Sequence, residues 1–404
     1  MILYILQKGF LRFILIEKFN SFKFIYMKRI LITSTDVMMY QFILPHVQFL
    51  SENGFIVDVA CSFAEGYKRE GYHKSISEHL PLSSKFYSVD LCRSPYSLKN
   101  IKGLNELKQI IQEGNYNIIW TNEPVMGVMT RLAAHFLNGK KTKILYLVHG
   151  YQFYRGAPKI NWLAYPIEKI MSSMCDAICV INWEDFYFTK KHMPDKQCFH
   201  VDGIGLDVDK FKSVVIDRDE KRLALGFVPD DILILSVGEL QKRKNHESIL
   251  KAVAKIQSDN IKYLICGCGE LEEYLKKLAL KLGVLDKLYL LGHRYDIAEI
   301  LKCVDIFAHP SIREGLGIAA LEAMASGLPL VTSNVQGIKD YVIDGETGFV
   351  NSPYDIDGYK KSIETLIYDY RLRLKIGENN KLYCSKYDIS SSMRQMIDII
   401  NSLV

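Results

Sequence analysis

The chain has 404 residues, is 49% hydrophobic and 24% charged, and carries a net charge of +5. That length exceeds one ordinary core and suits two domains, and the composition is that of a globular chain and not a disordered one. The first 205 residues hold 24 Lys and Arg against 17 Asp and Glu, a balance of +7; the remainder hold 27 against 29, a balance of −2. A basic first half fits a protein that docks on anionic lipid, and ordinary scatter of surface charge gives the same numbers. Nine cysteines form an odd count with no framework spacing, so buried free thiols in a reducing cytoplasm are expected and a metal site is not.

Residues 1–26 are apolar, aromatic and basic, but Lys8, Arg12, Glu17, Lys18 and Lys23 interrupt every apolar run. No uncharged stretch approaches the roughly 20 residues a membrane-spanning helix needs. The segment reads either as an interfacial helix or as an extension ahead of a natural start at Met27. From there short apolar runs alternate with amphipathic segments. Strands are predicted at Arg29–Thr33, Ile56–Ala60, Ile118–Thr121, Ile144–Val148 and Ala177–Ile181, with helices such as Tyr40–Asn53, Leu98–Glu113 and Pro124–Leu137 between them. A second series follows at Ile232–Val237, Lys262–Cys266, Leu288–Leu291, Val304–Ala308 and Pro329–Thr332. Its helices are predicted at His246–Ile256, Glu270–Leu282, Asp296–Lys302 and Gly317–Ser326. The alternation implies two α/β domains, each a parallel sheet wrapped by helices. The expected division is an extension at 1–26, a first domain at 27–205 and a second at 206–389, with a glycine-bearing join near Val201–Leu206. A last helix at 390–404 returns to the first domain.

Three stretches carry chemistry. The first, His309 to Ser333, places Glu314 and Glu322 eight residues apart, Glu314 on the loop before a helix and Glu322 about two turns inside it. Between them Gly315, Leu316, Gly317 and Ile318 can present bare amides, and a helix start behind such a loop attracts phosphate. Two carboxylates flanking a phosphate site suit sugar and ribose hydroxyls, so the segment points to a nucleotide-sugar site. The second runs from Ser236 to His246: a strand ends, Gly238 turns the chain, and Lys242, Arg243 and Lys244 precede a helix. Such cations can absorb the charge of a departing diphosphate, although three in a row also make an ordinary solvated turn. In the third, His149 ends a strand before Gly150, with Tyr151, Phe153, Tyr154 and Arg155 following. A single histidine is often structural, but a strand end is where open α/β sheets bind ligands. No G-x-G-x-x-G follows the first strand, so a dinucleotide enzyme is disfavoured. Asp207-Val208-Asp209 has the letters of a D-x-D motif but lies in the join, so a divalent cation at the diphosphate is not expected.

The E-x7-E segment, with Pro310-Ser311 before it and Ala-Ser-Gly-x-Pro after it, resembles the signature of the GT4 family of retaining glycosyltransferases. These have the GT-B fold, two Rossmann-like sheets facing a cleft. The V-G-E-L and H-G-x-x-F-Y-x-G strings resemble its capsule and exopolysaccharide members. The resemblance implies that Glu314 contacts the donor sugar, Glu322 binds the ribose and Lys244 the diphosphate. It also implies that His149 lies at the reacting centre and that Arg294 borders the base. Most members carry an arginine after the glycine where this chain has Glu239. Either Arg243 or Lys242 supplies that charge, or one cation and the helix start suffice. The implied activity is transfer of a hexose or N-acetylhexosamine from a UDP-sugar, used as substrate with no further cofactor. The implied acceptor is a glycan on polyprenyl diphosphate at the inner face of the plasma membrane. Nucleic acid is not an expected partner. A UDP-sugar 2-epimerase of the same fold and a non-catalytic nucleotide-sugar-binding subunit are the rival readings.

Overall fold

A computed structural model describes residues 27–62, 76–92, 94–137, 142–154 and 156–404. The extension at 1–26 and Arg155 lie outside them.

Among the described residues the strands form two parallel sheets. The first comprises β1 (Arg29–Thr35), β2 (Ile56–Ser62), β3 (Phe86–Val89), β4 (Ile118–Asn122), β5 (Lys143–Val148), β6 (Ala177–Val180) and β7 (Gln197–His200), in the order β3-β2-β1-β4-β5-β6-β7. The second comprises β8 (Ile232–Val237), β9 (Ile261–Cys266), β10 (Leu288–Gly292), β11 (Ile306–His309), β12 (Leu330–Ser333) and β13 (Gly348–Asn351), in the order β10-β9-β8-β11-β12-β13. The chain direction of the order reverses beside β1 and β8, and in such sheets ligands bind beyond the carboxyl ends at that reversal. Both sheets are Rossmann-like, as the apolar runs predict. Central strands read as continuous hydrophobic runs because helices cover both faces: Leu31, Ile32, Leu233, Ile234 and Leu235 are all fully buried.

The sequence reading missed β3, β7 and β13, and places β11 and β12 one or two residues early. All three missed strands sit at a sheet edge. An edge strand pairs on one side only and needs no apolar run, and Gln197–His200 is accordingly half-exposed. The predicted helix at Tyr40–Asn53 divides into a π-helical stretch, Met39–Ile43, and an α-helix, Leu44–Glu52.

Helix Ile318–Ala325 shows how local sequence sets the site. Gly317 opens it with φ +81°, a conformation that favours glycine. Gly327 closes it: its amide bonds to Met324 O at 2.9 Å and Leu328 N to Ala323 O at 3.0 Å, a Schellman closure with Pro329 beyond.

Val201–Leu206 joins the two sheets and is tied on both sides. His46 Nε2 meets Ile204 O at 2.8 Å, and Gln395 donates to Asp202 Oδ2 at 3.0 Å. Asp207 caps the next helix by accepting from Lys210 N at 2.9 Å, which occupies one of the two D-x-D carboxylates structurally. Helix Ile389–Leu403 packs on helix Leu44–Glu52, and its Ser392 donates to Gly203 O at 2.9 Å.

Candidate active site

β8 and β11 are neighbours, so the loops leaving their carboxyl ends converge. Lys244 Nζ donates to Glu314 Oε2 at 2.8 Å, and Arg243 Nη1 reaches the same oxygen at 3.3 Å. His309 Nε2 at 3.3 Å and Ser311 Oγ at 3.2 Å complete the shell. Burial alone would raise the Glu314 carboxyl, but Lys244, His309 and Arg243 outweigh it and hold the group well below the usual carboxylate range. Glu314 is therefore an anion at neutral pH. Gly238 lies against the Lys244 side chain, where an added Cβ would come 3.1 Å from its Cε. Glu239 approaches Arg243 at 4.0 Å, a partly exposed contact.

Gly315, Leu316, Gly317 and Ile318 lead into the helix. Among the described residues no hydrogen bond is donated by their amides, and the carbonyls of Gly315, Leu316 and Gly317 accept from Asn182 and Tyr341. The segment thus turns its acceptors inward and keeps its donors available, as an anion cradle must. Glu322 sits in the second turn of the helix; burial pushes it up to about 7, with Lys210 pulling weakly the other way.

The other side of the cleft places a histidine at a strand end. His149 lies just past β5, and its Nε2 meets Asn122 Oδ1 at 3.1 Å. Asn122 in turn donates to Thr33 O at 3.1 Å, which fixes its amide and makes the histidine nitrogen the donor. Burial lowers the imidazole to about 4, so the ring is uncharged at neutral pH. The two sides touch at the glycines: a Cβ on Gly315 would stand 2.1 Å from His149 O, and one on Gly150 2.8 Å from Gly315 Cα. Asn182 also bridges them, capping helix Trp183–His192 through Asp185 N while donating to Gly315 O at 3.0 Å. Beside this contact a cleft of about 940 Å³ opens between the halves, with Tyr154, Asp185, Ile312, Gln336 and Tyr354 in its walls.

The structure thus brings together Gly238, Arg243, Lys244, Glu314, Gly315 and His149. Arg294 is paired locally: its Nε and Nη2 donate to the two oxygens of Asp296 at 2.8 and 2.6 Å, and no hydrogen bond joins it to the Glu314 cluster. Tyr151 and Phe153, which could have stacked on a sugar, are buried and stack on each other with centroids 4.7 Å apart. Tyr154 does reach the cleft, donating to Ile312 O at 3.3 Å.

Sequence reasoning passed over His309, Ser311 and Arg313. Arg313 is half-buried and forms no ion pair or hydrogen bond among the described residues. Burial lowers its pKa and Arg243 adds to this, while Tyr154, Glu314 and Asp185 oppose. The signal was available, as a cation directly before the first glutamate of the motif. Glu123 follows β4 directly. With φ +65°, it clamps the end of β1, accepting from Thr35 N at 2.6 Å and Thr35 Oγ1 at 2.9 Å.

Comparison with known proteins places this geometry. Residues 217–383 match the family model for glycosyl transferases group 1, and residues 29–182 match glycosyl transferase 4-like. EpsD of Bacillus subtilis (strain 168), a protein named as a glycosyltransferase, is 31% identical over 93% of this chain and 97% of its own. A UDP-Gal:α-D-GlcNAc-diphosphoundecaprenol α-1,3-galactosyltransferase of Escherichia coli is 30% identical over 72% of this chain and 76% of its own. The Anabaena protein HepE, crystallised with UDP and glucose, superposes with a TM-score of 0.75 at 16% identity, covering 93% of this chain and all of HepE. Both halves match in order and EpsD and HepE are covered almost whole, so the chain belongs to the GT4-like glycosyltransferases of GT-B fold and is a glycosyltransferase.

Proposed function

We propose that this enzyme moves a hexose or N-acetylhexosamine from a UDP-sugar to a polyprenyl-diphosphate-linked glycan, with retention of configuration, at the cytoplasmic face of the membrane. The observation that carries this reading is the Glu314 cluster. An ionised carboxylate and two cations face a helix start with available amides, one residue from the glycine that touches His149. The second half would take the donor and the first half the acceptor. The names of the Escherichia coli relative and of the HepE complex support a UDP donor and a lipid-diphosphate acceptor.

In this reading the diphosphate draws Lys244 from Glu314 and lies on the amides of Gly315 to Ile318. Glu314, released from its cation, accepts hydroxyl hydrogens of the sugar. Glu322 accepts those of the ribose. Arg313, a cation next to the cluster with no carboxylate of its own, together with Arg243 supplies the charge that an arginine at position 239 would have given. The acceptor hydroxyl attacks the anomeric carbon on the face the diphosphate leaves. The bond from that carbon to the phosphate oxygen breaks, and that oxygen takes the hydroxyl proton. Neutral His149, whose Nε2–H is held by Asn122, turns its Nδ1 as an acceptor for a hydroxyl hydrogen at the reacting centre without changing charge. The protein's work is positioning and charge stabilisation.

The test is to supply UDP-, GDP- and dTDP-sugars with a short diphosphate-linked acceptor and follow nucleotide release and the anomeric configuration of the product. A UDP-sugar consumed with retention is expected. An inverted product, or a sugar isomer formed without acceptor, would overturn the proposal.

A further inference from the structure

The 3₁₀ turn Lys159–Leu163 runs directly into helix Ala164–Ser172. Along this stretch Ile160, Leu163, Ile167 and Ile170 recur at offsets of three and four, so they share one face. That face is open to solvent: Ile160 is 69% exposed, Leu163 65%, Ile167 53% and Ile170 63%. Trp162 lies beside them, 39% exposed, its ring 6.0 Å from the buried ring of Phe153. Four large aliphatic side chains in eleven residues, all turned to water, are not the isolated surface hydrophobics that any protein carries.

The charges on the stretch are sorted as well. Lys159 and Lys169 are exposed. Its single acid, Glu168, points inward, where it accepts from Arg131 Nη2 at 3.1 Å and from Tyr146 OH at 3.0 Å. The outer surface therefore combines aliphatic groups, a tryptophan and lysines, with no exposed carboxylate between Gly156 and Ser173. Lys190 and Lys191, on the neighbouring helix Trp183–His192, add two more exposed cations.

This face also continues into the molecule. Ala164 and Ile167 form one wall of an apolar groove of about 600 Å³, and Val125, Val128 and Met129 form another. The groove ends at Thr35 and Glu123, at the carboxyl ends of β1 and β4, which is the cleft side of the first sheet.

We propose that the Ile160–Ile170 face is the surface by which the enzyme docks on an anionic lipid bilayer. The isoleucines and Leu163 enter the acyl boundary, Trp162 sits at the headgroup level, and the lysines meet anionic headgroups. Docking this way sets the mouth of the groove against the bilayer, so a lipid-borne acceptor reaches the cleft without leaving the membrane. That last step rests on the lipid-linked acceptor proposed above; the docking itself does not.

The test is co-sedimentation of the full chain with vesicles of pure phosphatidylcholine and with vesicles containing phosphatidylglycerol. Wild type should sediment with the anionic vesicles, less so at high salt, and the double variant Leu163→Asp/Ile170→Asp should bind at least about tenfold more weakly. Lys159→Glu/Lys169→Glu should weaken the salt-sensitive part, Lys190 and Lys191 keeping the rest. Leu223→Asp, at an equally exposed site in the other half, should change nothing. Each variant should still transfer sugar to a short, water-soluble acceptor, which shows that it is folded and separates docking from catalysis. Undiminished vesicle binding by the double variant would overturn the proposal. So would a wild-type dimer, dissociated by the same substitutions, that ignores vesicles. If docking holds but no lipid-linked acceptor is used, the acceptor assignment fails and the surface stands.

Discussion

The two sides of the cleft use different physics. On the side of the second sheet, Lys244, Arg243, His309 and Ser311 crowd one oxygen of Glu314, and the chemistry there is one of charge. On the side of the first sheet, Asn122 holds a neutral His149 and an apolar groove reaches the strand ends at Thr35 and Glu123, so the proposed recognition there is one of shape and hydrogen-bond direction. A charged leaving group needs the first kind of surface. An acceptor that must present one hydroxyl needs the second. On the proposed reading the contrast teaches that the donor side is organised before substrate arrives, because Lys244 is already largely buried and held by the carboxylate it would exchange for phosphate.

The largest effect should come from Lys244→Ala. It removes the cation closest to Glu314 and should lower kcat/KM by about a hundred- to a thousandfold, measured as nucleotide released on transfer. Gly315→Ala attacks the seam between the two sides. Its Cβ would overlap His149 O, so the halves must part. A loss of about a hundredfold in kcat is expected, with thermal unfolding shifted by the equivalent of about 1–3 kcal/mol.

Glu322→Gln sharpens the contrast through pH. Burial raises this carboxyl from 4.5 to about 7, so the folded chain keeps a proton that the unfolded chain has already lost. Stability therefore falls as pH rises from about 4.5 to about 7 and is level above that window. The glutamine variant should lose this slope and be more stable at pH 8, by up to about 3 kcal/mol, in denaturant titrations. Donor binding wants the ionised form, since a carboxylate accepts both ribose hydroxyls. Wild-type donor affinity should thus rise through pH 7, while the variant binds about tenfold more weakly with a flat profile.

The smallest effect belongs to Glu239→Gln. Its contact with Arg243 is long and partly exposed, so activity should stay within about fivefold of wild type. A large gain would show that Glu239 opposes the diphosphate, and a large loss that it acts in the site.

Much of this was readable beforehand. Runs such as Ile232–Val237 have one stable outcome in a parallel sheet, and the spacing of Glu314 from Glu322 fixes where each stands relative to a helix start. Strand Gln197–His200 was not readable, because an edge strand carries no periodic burial to mark it. Nor were the partners of His149: Asn122 lies on another strand, and Gly315 lies 166 residues further along. Such contacts follow from how the sheets are ordered and how they face each other, and no local pattern encodes either. The pairing of Arg294 with Asp296, two residues away, was equally beyond a reading by family position.

The central claim is that the Lys244–Glu314 pair opens to receive a nucleotide diphosphate. Calorimetric titration of UDP into wild type, Lys244→Ala and Glu314→Gln tests it most directly. The account predicts that UDP binds wild type, that Lys244→Ala weakens it at least about tenfold, and that Glu314→Gln binds UDP as tightly or more tightly, because the lysine no longer has to leave a carboxylate. UDP binding that is unchanged in Lys244→Ala, or lost in Glu314→Gln, would contradict it.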